Sequence, residues 1–343
     1  MPERTLARNP LGPNLMPRRP WRSNRTASVD FRHPTPLPDR YVNVAKERPK
    51  RMGPSAESLE SLLVGTDYRA VRRLGKGGMG EVYVVEHRIM GRQFALKLLR
   101  SHLLAEPQFA ERLRVEAQAA ARLNHPNIVE MVDLWISGDG YPCVVMELLR
   151  GRTLSQELEE RRSLPASEAI AFALQTLSGL AAAHALGVVH RDVKPENLFL
   201  HEVPGFARKL KILDFGIARI LPGASRLAPD PITVPTKTGA VLGSPRFMSP
   251  EAARGERVDH RADLFSLGVV LYVMLTGRGP HDRPALRVPP PSMFASEAIG
   301  AQLDAVVLRA IAERAEDRYQ SAAAFTEALC GASGELSAST MPC

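Results

Sequence analysis

The stretch His190-Arg191-Asp192-Val193-Lys194-Pro195-Glu196-Asn197 constrains this 343-residue chain more than any other. Seventeen residues beyond Asn197 stands Asp214-Phe215-Gly216. Together the two stretches supply three different chemistries. Asp192 offers a carboxylate able to take a hydroxyl proton. Asn197 and Asp214 offer oxygens to a divalent cation. Lys194 offers positive charge to a transferring phosphoryl group.

H-R-D with Asn five residues after its Asp, followed by D-F-G, is a protein kinase signature. From about Tyr68 to about Leu329 the sequence resembles the eukaryotic-type serine/threonine protein kinases, most closely their bacterial branch. The resemblance implies an α+β, two-lobed protein kinase fold. A small, mainly antiparallel sheet lobe with one main helix would span 67–148, and a mainly helical large lobe 149–330. Residues 1–66 would form a basic tail and 331–343 a short C-terminal tail.

Charge is uneven along the chain. Residues 1–53 hold twelve Lys or Arg against four Asp or Glu, which leaves 33 basic and 33 acidic residues in the remainder. The catalytic region is thus neutral, and no nucleic-acid partner is expected. Residues 1–53 are rich in Pro and Arg and poor in apolar residues, so they are expected to be disordered. A solvated tail is the plain reading, and a basic arm for an acidic partner or membrane surface the sharper one. A short helix is expected over 55–64, capped at Ser55. No run approaches eighteen apolar residues, so no transmembrane anchor is expected. Cys143, Cys330 and Cys343 form no metal or disulfide pattern, which fits a reducing, cytoplasmic setting.

Tyr68 to Leu74 reads as a first strand, followed by Gly75-Lys76-Gly77-Gly78-Met79-Gly80-Glu81-Val82. Glycines let the backbone approach phosphate oxygens without a Cβ in the way. Dinucleotide-binding folds use a similar motif, but there it opens a helix. Here β-branched and aromatic residues follow, Val82-Tyr83-Val84-Val85, and argue strand–loop–strand. Phe94 to Leu99 is an apolar run broken by Lys97, a charge that needs a partner. The resemblance makes Lys97 the phosphate-holding lysine and Glu116 its helix partner, with Glu111 the alternative. Ile128–Ile136 and Tyr141–Leu148 read as two strands joined by Ser137-Gly138-Asp139-Gly140. Ser167–Leu186 reads as a long helix with Gly187 as its C-terminal cap.

By resemblance, Leu74, Gly75, Gly77, Gly78 and Gly80 line the ATP site. Val82 and Ala95 would cover the adenine and Phe199 would lie beneath it. Met146 would be the gatekeeper, and the backbones of Glu147 and Leu149 the hinge. Plain core packing explains the three apolar residues equally well. Asp214 and Asn197 would hold Mg²⁺ or Mn²⁺, and Asp192, Lys194 and Asn197 would be the catalytic set. The implied partners are ATP and protein substrates. A small-lobe dimer, which some relatives form, stays open.

Four further expectations follow from the resemblance. Ser244 replaces a usual Thr but keeps the hydroxyl. Arg191 would pair with a phosphate on Thr233, Thr236 or Thr238 after autophosphorylation, with Thr236 and Thr238 nearest the position used by relatives. Asp263 would bond catalytic-loop amides, against the alternative of a carboxylate serving only its helix dipole. Arg318 would pair with Glu251 of Ser249-Pro250-Glu251. One departure stands out: between Gly279 and about Gln302 the chain is short and proline-rich where relatives place another helix. A kinase-shaped binding module without turnover is the rival reading. It predicts loss of Lys97, Asp192, Asn197 or Asp214, and all four are present.

Overall fold

The computed structural model describes residues 56–77, 80–99, 122–138, 140–215, 245–282 and 287–339. Alternation of apolar residues builds a five-stranded antiparallel sheet from β1 (Tyr68–Gly77), β2 (Gly80–His87), β3 (Gln93–Leu99), β4 (Met131–Ile136) and β5 (Pro142–Glu147), in the order β1-β2-β3-β5-β4. Successive side chains of a strand point to opposite faces, and directly paired residues share one. Phe94, Leu96 and Leu98 therefore face one way, with Tyr83, Val85, Cys143 and Val145 in the same core. Ala95 and Lys97 face the other way, beside their partners Met146, Val82 and Val144.

A helix α1 (Ala56–Leu62) closes the first of these faces. Leu59, Leu62 and Leu63 are buried against the Tyr68, Phe94 and Trp135 cluster, in which Tyr68 stacks on Trp135 at 5.8 Å. The folded small lobe therefore begins before residue 67, and the tail boundary at 66 is corrected to no later than Ala56. Buried leucines contribute about 1.5–3 kcal/mol each. A chain starting at Met52 keeps α1 and is expected to phosphorylate as fast as the full chain. A chain starting at Tyr68 is expected to melt several degrees lower in calorimetry; equal melting would show that α1 adds nothing.

Ile128 does not start β4, contrary to the expected strand. It forms a parallel bridge with Ile212, and Val129 N–H donates to Ile212 O at 3.0 Å. The chain thus ties the small lobe to the large one before entering the sheet.

The large lobe opens with β6 (Gly151–Thr153), which pairs with β7 (Leu198–His201) and β8 (Lys209–Ile212). Its helices are α2 (Leu154–Arg161), α3 (Ala166–Ala185), α4 (Pro250–Ala253), α5 (Arg261–Thr276), α6 (Ala301–Ala310) and α7 (Ala322–Ser339). Thr153 caps α2 in a reciprocal box with Gln156. Gly187 follows α3 with φ +73°, the left-handed stop expected of a glycine there.

α5 is apolar all round, and every residue from Ala262 to Thr276 is buried, the pattern of a central core helix. Its Gly268 meets α6 so closely that a Cβ would lie 2.7 Å from that of Ala310. By length and composition α3 is the one helix among the described residues apolar enough to cross a membrane. Ile170, Phe172, Leu177 and Leu180 are nevertheless buried in the large-lobe core. Ala332, in α7, also belongs to that core, so the fold runs past 330 and the expected tail boundary moves outward.

Among the described residues no α-helix separates α5 from α6, only a tight turn at Pro291–Met293. This segment serves the lobe in another way. Pro165 at the start of α3 has no capping oxygen, and Glu297 accepts the Ala166 N–H at 2.5 Å instead. Asp304 of α6 in turn accepts the Ser292 N–H at 2.8 Å.

Candidate active site

The loop His190–Asn197 hangs from one buried carboxylate. Asp263, fully buried near the start of α5, accepts the His190 N–H at 2.8 Å and the Arg191 N–H at 2.7 Å. His184 Nε2 lies 2.8 Å from the same carboxylate. These are the loop amides expected for Asp263, whereas His184 was not legible as a third partner. Backbone strain sits beside this anchor. Arg191 and Asp214 have φ of +66° and +62°, costly for residues with a Cβ unless the surroundings impose it. His190 helps impose it: Nε2 bonds Leu213 O at 2.8 Å, and the ring packs edge-on to Phe215 at 4.6 Å.

The predicted catalytic residues converge. Lys194 Nζ donates to both Asp192 carboxylate oxygens, at 2.9 and 2.7 Å. Asn197 Nδ2 donates to Asp192 O at 2.8 Å and to Oδ2 at 2.9 Å. The nitrogen of Asn197 is thereby committed, and Oδ1 is the atom suited to a cation. Leu213 N–H bonds Asn197 O at 2.8 Å, which brings Asp214 alongside. From the small lobe Lys97, 7% exposed, reaches Asp214 Oδ2 at 2.6 Å. Its expected partner Glu116, and Glu111, lie outside the described residues, as do Gly78, Ser244, Thr233, Thr236 and Thr238.

The rest of the expected nucleotide set is distributed as follows. Val82, Ala95 and Met146 share the sheet face that carries Lys97. Phe199 is half-buried in β7, on the face opposite the core residues Leu198 and Leu200. Leu149 is half-buried after β5, and Leu74 is exposed in β1. Glu147 does more than its backbone suggested. Its side chain accepts from Glu130 N–H at 2.9 Å and from Lys211 of β8, an ion pair between the lobes.

The strands flanking the glycines are tied together by Glu81, which shares the sheet face of Tyr83 and Leu98, opposite Lys97. It accepts from Tyr83 Oη at 2.5 Å and pairs with Lys76 at 3.3 Å. Burial raises the Glu81 carboxyl, but the bonds from Tyr83 and Lys76 bring it below the usual range. Burial and Glu81 together push the Tyr83 hydroxyl up to about 12.

The glycines themselves differ. A Cβ on Gly80 would lie 1.9 Å from Leu98 O, whereas one on Gly75 would meet nothing within 4 Å. Gly80→Ala is therefore expected to cost about 2 kcal/mol or more of stability in denaturant titration. Gly75→Ala is expected to leave the melting temperature unchanged and to raise KM for ATP. The reverse pattern would exchange the two roles.

Comparisons with known proteins decide the family. The chain matches the protein kinase domain family over residues 68–288. It belongs to the protein kinase family. Within that family it is similar to bacterial serine/threonine kinases. It is 40% identical over 291 residues to the serine/threonine-protein kinase Pkn1 of Myxococcus xanthus, covering 81% of this chain and 40% of that protein. It is 38% identical over 265 residues to the serine/threonine-protein kinase PknB of Mycobacterium tuberculosis, covering 73% and 40%. The kinase thus spans about two fifths of the length of these relatives. The crystal structure of the Mycobacterium tuberculosis PknI kinase domain superposes with a TM-score of 0.63 at 31% identity, covering 79% of this chain and 98% of that one. The two-lobed kinase fold expected from the sequence is the fold observed.

Proposed function

We propose that this kinase transfers the γ-phosphate of ATP to serine or threonine hydroxyls of protein substrates. The observation that carries the reading is the cluster Asp192–Lys194–Asn197 under the inter-lobe pair Lys97–Asp214. Phosphoryl transfer leaves the protein mainly positioning and charge stabilisation. Asp192 orients the acceptor hydroxyl and takes its proton. Lys194, which bonds Asp192, offsets charge on the transferring group. Lys97 orients the α- and β-phosphates beneath the glycine loop, and the Glu147 and Leu149 backbones receive the adenine edge between Ala95 and Phe199.

A divalent ion supplies charge neutralisation at the phosphates. One carboxylate, Asp214, plus the amide oxygen of Asn197 suits Mg²⁺, which keeps water and phosphate oxygens as further ligands; Mn²⁺ fits the same set. The kinase is read as cytoplasmic, with activation-segment autophosphorylation at Thr236 or Thr238. Incubation of the full chain with radiolabelled ATP, Mg²⁺ and a basic acceptor protein should label the acceptor on Ser or Thr. Nucleotide binding without label in acceptor or kinase would favour a binding module instead.

A further inference from the structure

The end of the β1–β2 hairpin that faces the nucleotide site has no apolar burial to set its register. Every residue of β1 from Val71 to Lys76 is exposed, and the strand ends Gly75-Lys76-Gly77. Glycine-rich strands without a buried face specify register weakly, and a slip of one residue turns every side chain to the other face. Here Gly75 pairs with Val82, Lys76 with Glu81 and Gly77 with Gly80. Val82 shares the sheet face of Lys97, so Gly75 belongs to the nucleotide side. Lys76 and Glu81 belong to the opposite side.

This register contains an irregularity. Between Arg73, opposite Tyr83, and Gly75, opposite Val82, β1 carries one extra residue, Leu74. The bulge brings Arg73 and Lys76, three residues apart, to the same face of the sheet. Glu81 meets both. Its carboxylate lies 3.3 Å from Lys76 Nζ and 3.8 Å from an Arg73 guanidinium nitrogen, and it accepts from Tyr83 Oη at 2.5 Å. Both cationic side chains are exposed, whereas Glu81 is buried beside its β3 partner Leu98. Tyr83 is itself part of the small-lobe core. Glu81 thus links the exposed end of β1 to that core. β2 is already pressed against β3 here, since a Cβ on Gly80 would lie 1.9 Å from Leu98 O. The strand that needs holding is β1.

Stability alone does not call for a carboxylate at this place. Desolvation offsets much of the attraction within a buried ion pair, and an apolar side chain beside Leu98 and Tyr83 would serve as well. We propose that Glu81 is a positioning residue for the nucleotide phosphates, pinning β1 in the register that puts Gly75 and Val82 over the cleft. It touches no substrate and acts through Lys76, Arg73 and Tyr83. This role rests on the proposed placement of the glycine loop over the phosphates. The same contact keeps the Lys76 charge on the face away from the nucleotide.

The test is steady-state kinetics of the full chain carrying Glu81→Gln, a nearly isosteric change that keeps an acceptor for Tyr83 and removes the charge. KM for ATP is expected to rise roughly tenfold, about the worth of one hydrogen bond to a charged group. KM for a basic acceptor protein, the inhibition constant of adenosine and the melting temperature should be unchanged. Lys76→Met, at an exposed position, should also raise KM for ATP, and the double variant should add little, since both changes break one contact. Parallel losses for ATP and adenosine would overturn the proposal, because adenosine has no phosphates and only a general distortion of the cleft weakens both. An unchanged KM for ATP in Glu81→Gln would overturn it too. So would a lowered one, the sign that Lys76 had been released to the phosphates. Gly75→Ala separates the pin from the reading beneath it. If neither Gly75→Ala nor Glu81→Gln alters KM for ATP, the glycine loop does not meet the phosphates. If Gly75→Ala raises it and Glu81→Gln does not, the pin alone is refuted.

Discussion

Replacing Asp192 by Asn is expected to slow phosphorylation roughly 10²–10⁴-fold, the usual worth of a positioned base. ATP affinity and melting temperature should stay close to wild type. Asn is nearly isosteric and can still accept from Lys194 and Asn197, which hold Asp192 at 2.7–2.9 Å. It cannot take a proton. It also leaves the Lys194 ammonium without its counter-ion, so a small change in KM is expected beside the large change in kcat. Single-turnover assays on wild type and variant at saturating ATP make the comparison. A variant that transfers phosphate at the wild-type rate would remove Asp192 from the reaction.

Arg318→Leu is expected to cost about 3–5 kcal/mol, the range for breaking a buried pair by removing one partner. Arg318 is fully buried and meets Glu251 in a two-pronged pair, 2.8 Å on each prong. It also donates to Ala312 O and Glu313 O at 2.8 Å, and its guanidinium covers the Phe265 ring. The substitution strands a carboxylate and two carbonyls at once. Denaturant unfolding of Arg318→Leu, Glu251→Gln and the double variant measures the coupling; additive losses would show that the pair contributes little.

The pair also sets a pH dependence. Burial raises the Glu251 carboxyl, but Arg318 and the residue's own backbone amide more than offset this and hold it below its ordinary value of 4.5. A depressed folded-state pKa stabilises the fold above the unfolded value and loses that contribution as pH falls through the folded one. Wild type should therefore lose stability below about pH 4.5 more steeply than Glu251→Gln.

Most of this architecture was legible for identifiable reasons. Asp192, Asn197 and Asp214 stand at spacings that one loop and one strand end impose, so their chemistry survives without coordinates. Lys97 announced itself as a lone charge in an apolar strand, and Arg318 and Glu251 came with the family pattern. Partners supplied from far along the chain were harder to read. Nothing local to His184 says that it will share Asp263, and nothing in Glu297 says that it will cap a helix starting at Ala166. Nothing local to Lys211 says that its partner Glu147 lies in the other lobe. Packing at the two ends of the fold was hidden for a related reason. The helix over 55–64 was expected, but not that Leu59, Leu62 and Leu63 would pack on the sheet, nor that Ala332 would join the large-lobe core.

Asp263 makes the catalytic loop a dependent of the large lobe's interior. The carboxylate that orients His190 and Arg191 rides on α5, and α5 is locked to α6 at Gly268 with no space to spare. A substitution there that pushes the helices apart by a few tenths of an ångström would be felt at Asp192 with no change in any group that meets the nucleotide. A screen for inactive variants should consequently return positions deep in α5 and α6 alongside the motif residues. Those distant losses would arise from misalignment of an intact chemical apparatus, and second-site changes that restore helix spacing should rescue them.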